Sequence, residues 1–228
     1  MPAKKRCACP PDLFGMRKAT LVCVLLIVLS FAVAFYYYPA MPDQLASHWD
    51  AQGQVNGYTS KFWALMIMPV ISAFLLALFV FIPKIDPMKE NIAKFRGYFD
   101  TFIVLIMLFM FYIFILTILW NSGMAFNMVQ FLSPAFAILF YYCGILIEHA
   151  ERNWFIGIRT PWTISSDVVW KKTHKIGGKL FKIAGLLAVL GIFDFYPMLF
   201  VLAPILLVAA YTVVYSYLEY QKLPRKKK

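Results

Sequence analysis

Residues 183–218 read IAGLLAVLGIFDFYPMLFVLAPILLVAAYTVVYSYL, a run of 36 positions with one charged side chain, Asp194. A hydrocarbon core about 30 Å thick is crossed by roughly 20 apolar residues of helix, whereas 36 helical residues would extend about 54 Å. The run must therefore turn back. Asp194-Phe195-Tyr196-Pro197 is the natural break, because a carboxylate is costly in lipid and proline interrupts a helix interior. The expected result is a short fifth helix from Leu180 to about Phe193 and a sixth from about Met198 to Tyr217.

Four further apolar runs of spanning length precede it, from Thr20 to about Tyr38, Phe62 to Ile82, Thr101 to Trp120, and about Phe126 to Ile147. The first ends in Tyr36-Tyr37-Tyr38-Pro39 with no small-residue cleavage site, so it reads as an uncleaved helix rather than a signal peptide. With six spans assumed, lysine and arginine alternate between the connections. The N-terminal segment, the 83–100 loop, the 148–182 loop and the C-terminal tail together hold 21, and the three opposite connections hold one, Lys61. Positive charge is retained on the cytoplasmic side. The expected fold class is an all-α polytopic bundle of six transmembrane helices in the plasma membrane, with both termini cytoplasmic. Pro69, Pro134 and Pro204 are expected to kink the helices that start outside.

The composition fits that class. The chain of 228 residues is 62% hydrophobic and 14% charged, against about 25% charged in an ordinary soluble domain. Its net charge of +11 reads as topogenic charge, so direct nucleic-acid binding is not expected. Cys23 and Cys143 lie in apolar runs, and Cys7 and Cys9 in the basic N-terminal segment, a pattern of reduced thiols rather than a disulfide framework. No span carries an ionisable group at mid-depth, which argues against a proton-coupled carrier. The three histidines, His48, His149 and His174, are scattered, and no nucleophile, base or metal-ligand set is evident. Neither an enzyme nor a cofactor is expected.

Two polar segments are denser in special residues than plain connectors. The outer one, residues 39–61, carries Pro39, Pro42, His48, Trp49, Gly53 and Lys61. Its prolines fix an extended exit from the first helix, and it reads either as an ordered hairpin with an aromatic belt or as a ligand-facing loop. The inner one, within 148–182, carries Gly157, Arg159, Thr160, Pro161, Trp162, Ser165, Ser166, Trp170, Thr173, His174 and Gly177. Ser165 or Ser166 can cap a helix with Asp167 in its first turn, and Gly177-Gly178 can end it. Ringed by lysines, that helix is expected to lie on the anionic inner leaflet. Arg159, pinned before Thr160-Pro161-Trp162, either staples the loop to helix-end carbonyls or bonds a phosphate headgroup.

The run Gly157-Ile158-Arg159-Thr160-Pro161-Trp162-Thr163, followed by Ser165-Ser166, Trp170, Thr173-His174 and Gly177-Gly178, resembles the signature of the SdpI family of membrane immunity proteins. The outer segment is similar to the small domain of unknown function that often precedes it. The resemblance implies four regions: a basic cytoplasmic segment 1–19, a first hairpin 20–100 with the outer motif loop 39–61, an SdpI-like region 101–219 with the inner motif loop 148–182, and a basic tail 220–228. It also implies protection against a secreted membrane-active peptide toxin, with a transcriptional repressor held at the membrane as a second expected partner beside the lipid bilayer. From the residues alone, a passive transporter or channel and a structural membrane subunit stand as alternatives.

Overall fold

The computed structural model describes residues 18–193 and 196–224. Cys7, Cys9 and the expected turn at Asp194 lie outside the described residues.

Among the described residues, five helices are long and apolar enough to cross a membrane. These are α1 (Lys18–Tyr37), α2 (Lys61–Ile85), α4 (Arg96–Asn121), α5 (Met128–His149) and α8 (Pro197–Gln221), each within a few residues of the run read from hydropathy. Between them lie a short α3 (Lys89–Lys94), a one-turn α6 (Pro161–Ser165) and α7 (Asp167–Ala188), which tightens into a 3-10 turn over Val189–Ile192. Pro69, Pro134 and Pro204 all sit inside helices. The outward faces remain apolar, with Leu25, Phe74, Leu206 and Leu207 exposed, as lipid contact requires. The chain is a multi-pass membrane protein.

Two expectations need correction. The fold is not purely helical: β1 (Gln44–Trp49) and β2 (Val55–Ser60) form an antiparallel hairpin in the outer motif segment. Nor does a separate loop helix end at Gly177-Gly178. Ser166 caps a helix as expected, accepting a bond from the Val169 amide, but α7 then runs through both glycines into the stretch read as the fifth helix. Close packing explains the glycines. A Cβ on Gly178 would meet the Gly144 carbonyl at 2.7 Å and the Glu148 side chain of α5, while one on Gly177 would collide with Ile158 and press on Thr212 of α8. Two adjacent glycines thus face two partners, and small residues let the helix backbones approach. Further along, Gly185 lies against Ala137 and Tyr141 of α5.

α7 and α8 form an antiparallel pair. Near the 193–196 connection, a Cβ on Gly191 would meet the Pro197 carbonyl at 3.0 Å. At the other end, Lys172 bonds Glu219 at 2.7 Å and the Thr160 hydroxyl lies 3.0 Å from that of Ser216. The main core lies between α1, α2, α4 and α5, where Cys23, Leu76, Phe99, Met107 and Leu146 cluster. It reaches the inner loop through Ile156 and Trp170. The two motif segments therefore sit at opposite ends of one bundle.

Candidate functional site

At the outer end, the hairpin is held by side chains from far along the chain. Asn121, at the end of α4, accepts from the Ala46 amide at 2.8 Å and donates to the Ala46 carbonyl at 3.0 Å, closing one position of the edge strand. Asn127 caps α5 by accepting from the Val129 and Gln130 amides, and its amide group donates to the Gln52 carbonyl at 2.6 Å. Gly53 fits that turn because its φ of +80° suits glycine and a Cβ would run into Asn127. Asp50 accepts from the Gln52 and Gln54 amides and shapes the turn.

Pro39 and Pro42 are exposed, as the chain leaves α1 through a 3-10 turn over Tyr38–Ala40. Lys61 pairs with Asp43 at 3.1 Å and lies over the Tyr38 ring. Trp49 packs edge-on against Trp120, centroids 5.9 Å apart, and its buried indole N–H has no partner among the described residues. His48 is exposed and hydrogen-bonded to Asn56 across the hairpin. Tyr58, Phe62 and Trp63 are exposed beside it. This end is both an ordered hairpin and an open amphipathic surface.

The inner end is built differently. Asn153 is fully buried: its amide donates to the Glu151 and Ile156 carbonyls, and its oxygen accepts from the Phe155 and Ile156 amides. The turn is lashed to the end of α2 and to α3: buried Asp86 accepts from the Trp154 amide at 2.9 Å, and Asn91 of α3 donates to the Arg152 carbonyl at 2.8 Å. Arg152 reaches the other way, to the Ile164 carbonyl and to Asp167. Trp170 donates its indole N–H to the Ala150 carbonyl at 2.7 Å and stacks on His174 with centroids 3.9 Å apart.

His174 closes the loop. The Ile158 amide donates to Nε2 at 3.1 Å, which leaves the proton on Nδ1, donated to the Trp170 carbonyl at 2.9 Å. Burial pushes the imidazole pKa down to about 4, so the ring is neutral at physiological pH. Gly157, at φ +114°, lies where a Cβ would strike Nε2. Thr160 and Thr163 form a reciprocal cap on α6, and Thr163 also donates to the Ile158 carbonyl. The Thr173 hydroxyl is buried without a partner among the described residues.

Three residues of the inner motif, Arg159, Pro161 and Ser165, are exposed. Arg159 is exposed and donates to the Trp154 carbonyl at 2.8 Å, a staple within the loop rather than to a helix end. It borders an open cup of about 410 Å³ with Trp154, Thr160, Pro161, Ile164 and Ser165. Trp162 is half-buried against Tyr217 of α8.

The sequence reading did not single out Asp86, Asn91, Asn121 or Asn127 as site residues. The available signal was a short amide or carboxylate at a helix end, where it can bond backbone groups. Among the described residues, no three His, Cys, Asp or Glu side chains converge as a metal site would require.

The fold and its two ordered motif ends define a multi-pass membrane protein with a structured loop on each face of the bundle. Residues 149–216 match the model of the SdpI/YfhL protein family, and residues 25–73 match that of a domain of unknown function, DUF1648. The chain is also 26% identical over 208 residues to the immunity protein SdpI of Bacillus subtilis (strain 168), covering 90% of this chain and 98% of the relative. The SdpI-family resemblance of the inner motif, and its pairing with the preceding domain, are thereby shown. No solved structure matches the chain.

Proposed function

We propose that this protein confers resistance to a secreted, membrane-active peptide. The observation that carries the reading is similarity to an immunity protein over nearly the full length of both chains, including both motif segments. The open outer surface of His48, Tyr58, Phe62 and Trp63 suits a peptide that is apolar and backbone-rich, since aromatic side chains supply contact area and an edge strand supplies hydrogen bonds. The inner loop, cross-tied to α2, α3, α7 and α8, suits a face that reports the state of the bundle to a cytoplasmic partner such as a transcriptional repressor.

Orientation belongs to the same proposal. Positive charge puts the inner loop and both termini in the cytoplasm, and the apolar half of α7 with its 3-10 turn makes the crossing that pairs with α8. The decisive experiment is expression in a sensitive strain challenged with a membrane-permeabilising peptide of the sporulation-delaying kind. Survival above the empty-vector strain is expected, and equal killing refutes the resistance role. Cysteine-accessibility labelling at Ser47 and Ser165 checks the orientation: the first is expected to react from outside and the second only after permeabilisation.

A further inference from the structure

The seam between α5 and α7 holds two grooves placed end to end. At the inner end a groove of about 500 Å³ is lined by Glu148, His149 and Glu151 around the end of α5 and by Lys171, Lys175 and Lys179 of α7. Further into the bundle a groove of about 380 Å³ is lined by Ile138 and Tyr141 of α5 and by Gly185, Leu186 and Val189, and its walls are almost wholly apolar. Lys175, Lys179, Lys182, Leu186 and Val189 follow one another at spacings of four, three, four and three, a single stripe along a helix. His149, Ile145, Tyr142 and Ile138 do the same on α5. Both grooves lie along the α5–α7 seam, polar at its mouth and apolar beyond, with the Lys182–Glu148 ion pair between them.

The charges at the mouth are unevenly matched. Lys172 and Lys182 are paired with Glu219 and Glu148 at 2.7 Å. Among the described residues, Lys171, Lys175 and Lys179 have no such partner, although all three are exposed on one face of the helix. Like charges at this spacing destabilise a helix, so the ladder carries a cost that a bound anion offsets. Among the described residues, Glu151 is the one carboxylate of the groove outside an ion pair, which leaves the mouth net positive. About 10 Å of helix separates Lys179 from Leu186, enough to pass from a phosphate through a glycerol ester to an acyl chain.

We propose that this seam binds an anionic phospholipid, its phosphodiester over Lys171, Lys175 and Lys179 and one acyl chain along Ile138, Tyr141, Leu186 and Val189. This is a built site for one lipid, distinct from the general attraction of basic loops to an acidic leaflet, and it stands whether or not the resistance role does.

The test uses the full-length protein in detergent, titrated with phosphatidylglycerol, with phosphatidylcholine of the same chains, and with soluble glycerol phosphate. Native mass spectrometry and thermal unfolding read binding. Phosphatidylglycerol is expected to be retained and to raise the melting temperature, with phosphatidylcholine and glycerol phosphate at least tenfold weaker, on the order of one to two anionic contacts. The triple change Lys171→Gln, Lys175→Gln and Lys179→Gln is expected to weaken phosphatidylglycerol binding about 100-fold. If that variant fails to fold, Lys175→Gln alone is expected to give about fivefold.

Ile138→Trp, which fills the apolar groove without changing charge, is expected to weaken the lipid and leave glycerol phosphate unchanged. Lys84→Gln with Lys89→Gln, at the same end of the bundle but off the seam, is expected to change nothing. Equal binding of the two phospholipids overturns the proposal. So does equal binding of lipid and glycerol phosphate together with an unaffected Ile138→Trp, which marks a simple phosphate pocket. An equal loss in the Lys84 and Lys89 control also overturns it, since that marks diffuse surface charge.

Discussion

The outer and inner motif segments are both rich in special residues, yet they use them in opposite ways. The outer hairpin takes its shape from its backbone ladder and from two borrowed asparagines, so its own side chains, His48 and Tyr58 among them, are left facing outward. The inner loop has no ladder and turns its side chains on itself. Asn153, Thr163 and His174 are consumed in satisfying buried backbone groups, which would otherwise each cost about 1–3 kcal/mol. A dense motif can therefore mark either a surface that meets something or a knot that holds its own chain. Burial separates the two, and residue type does not.

The comparison can be broken most directly at Asn153. Asn153→Ala strands the Phe155 and Ile156 amides and is expected to destabilise the fold by about 4 kcal/mol, read as a fall in melting temperature in detergent. A loss below 1 kcal/mol would mean that the knot is not a knot. The pH dependence comes next. His174 is charged below about 6.5 in the unfolded chain but only below about 4 in the folded one, so the unfolded state binds more protons between those values. The His174 contribution to stability is expected to be flat above pH 7, to fall by about 3 kcal/mol as pH drops through that window, and to level below it. The His174→Asn variant is expected to lack that part of the slope.

Asn121→Ala, at the outer end, removes two bonds to a partly solvated strand and is expected to cost about 1–2 kcal/mol, with the bundle intact and the hairpin amides exchanging faster. His48→Ala is expected to change stability by less than about 0.5 kcal/mol while lowering survival in the peptide challenge. If Arg159→Ala, at the exposed rim of the inner loop, lowers survival more than His48→Ala does, the division of labour proposed for the two ends is reversed.

The spans were legible because hydropathy reports solvent, and lipid is the solvent of α1, α2, α4, α5 and α8. An ordered hairpin was one of two readings of the outer segment, but its strands and register were not legible. Gln44-Leu45-Ala46-Ser47-His48-Trp49 has no clean alternation of period two, its register slips between Ala46 and Trp49, and the side chains that clasp it come from Asn121 and Asn127. Nothing local in the sequence encodes that clasp. Gly177-Gly178 misled for a related reason: the residue that can end a helix is also the residue that lets two helices touch, and only the positions of α5 and α8 decide between them. The inner motif was recognised as a unit, but that His174 is buried and neutral depends on the Gly157 turn folding over it. The sequence reading of the turn at Asp194 rests on residues outside the described ones.

Among the described residues, α7 is the one long helix not apolar enough to rank with the five candidate spans, for its first half is studded with lysines and its contacts with α5 and α8 run through glycine. On the six-crossing reading, this bears on biogenesis. A translocating channel weighs each segment by its own partition into lipid, and by that measure α7 is the weakest candidate in the chain. It becomes acceptable when α5 is already seated and α8 emerges to pair with it. The last hairpin is then inserted as a unit, and a ribosome that stops before α8 leaves α7 stranded on the face where it was made.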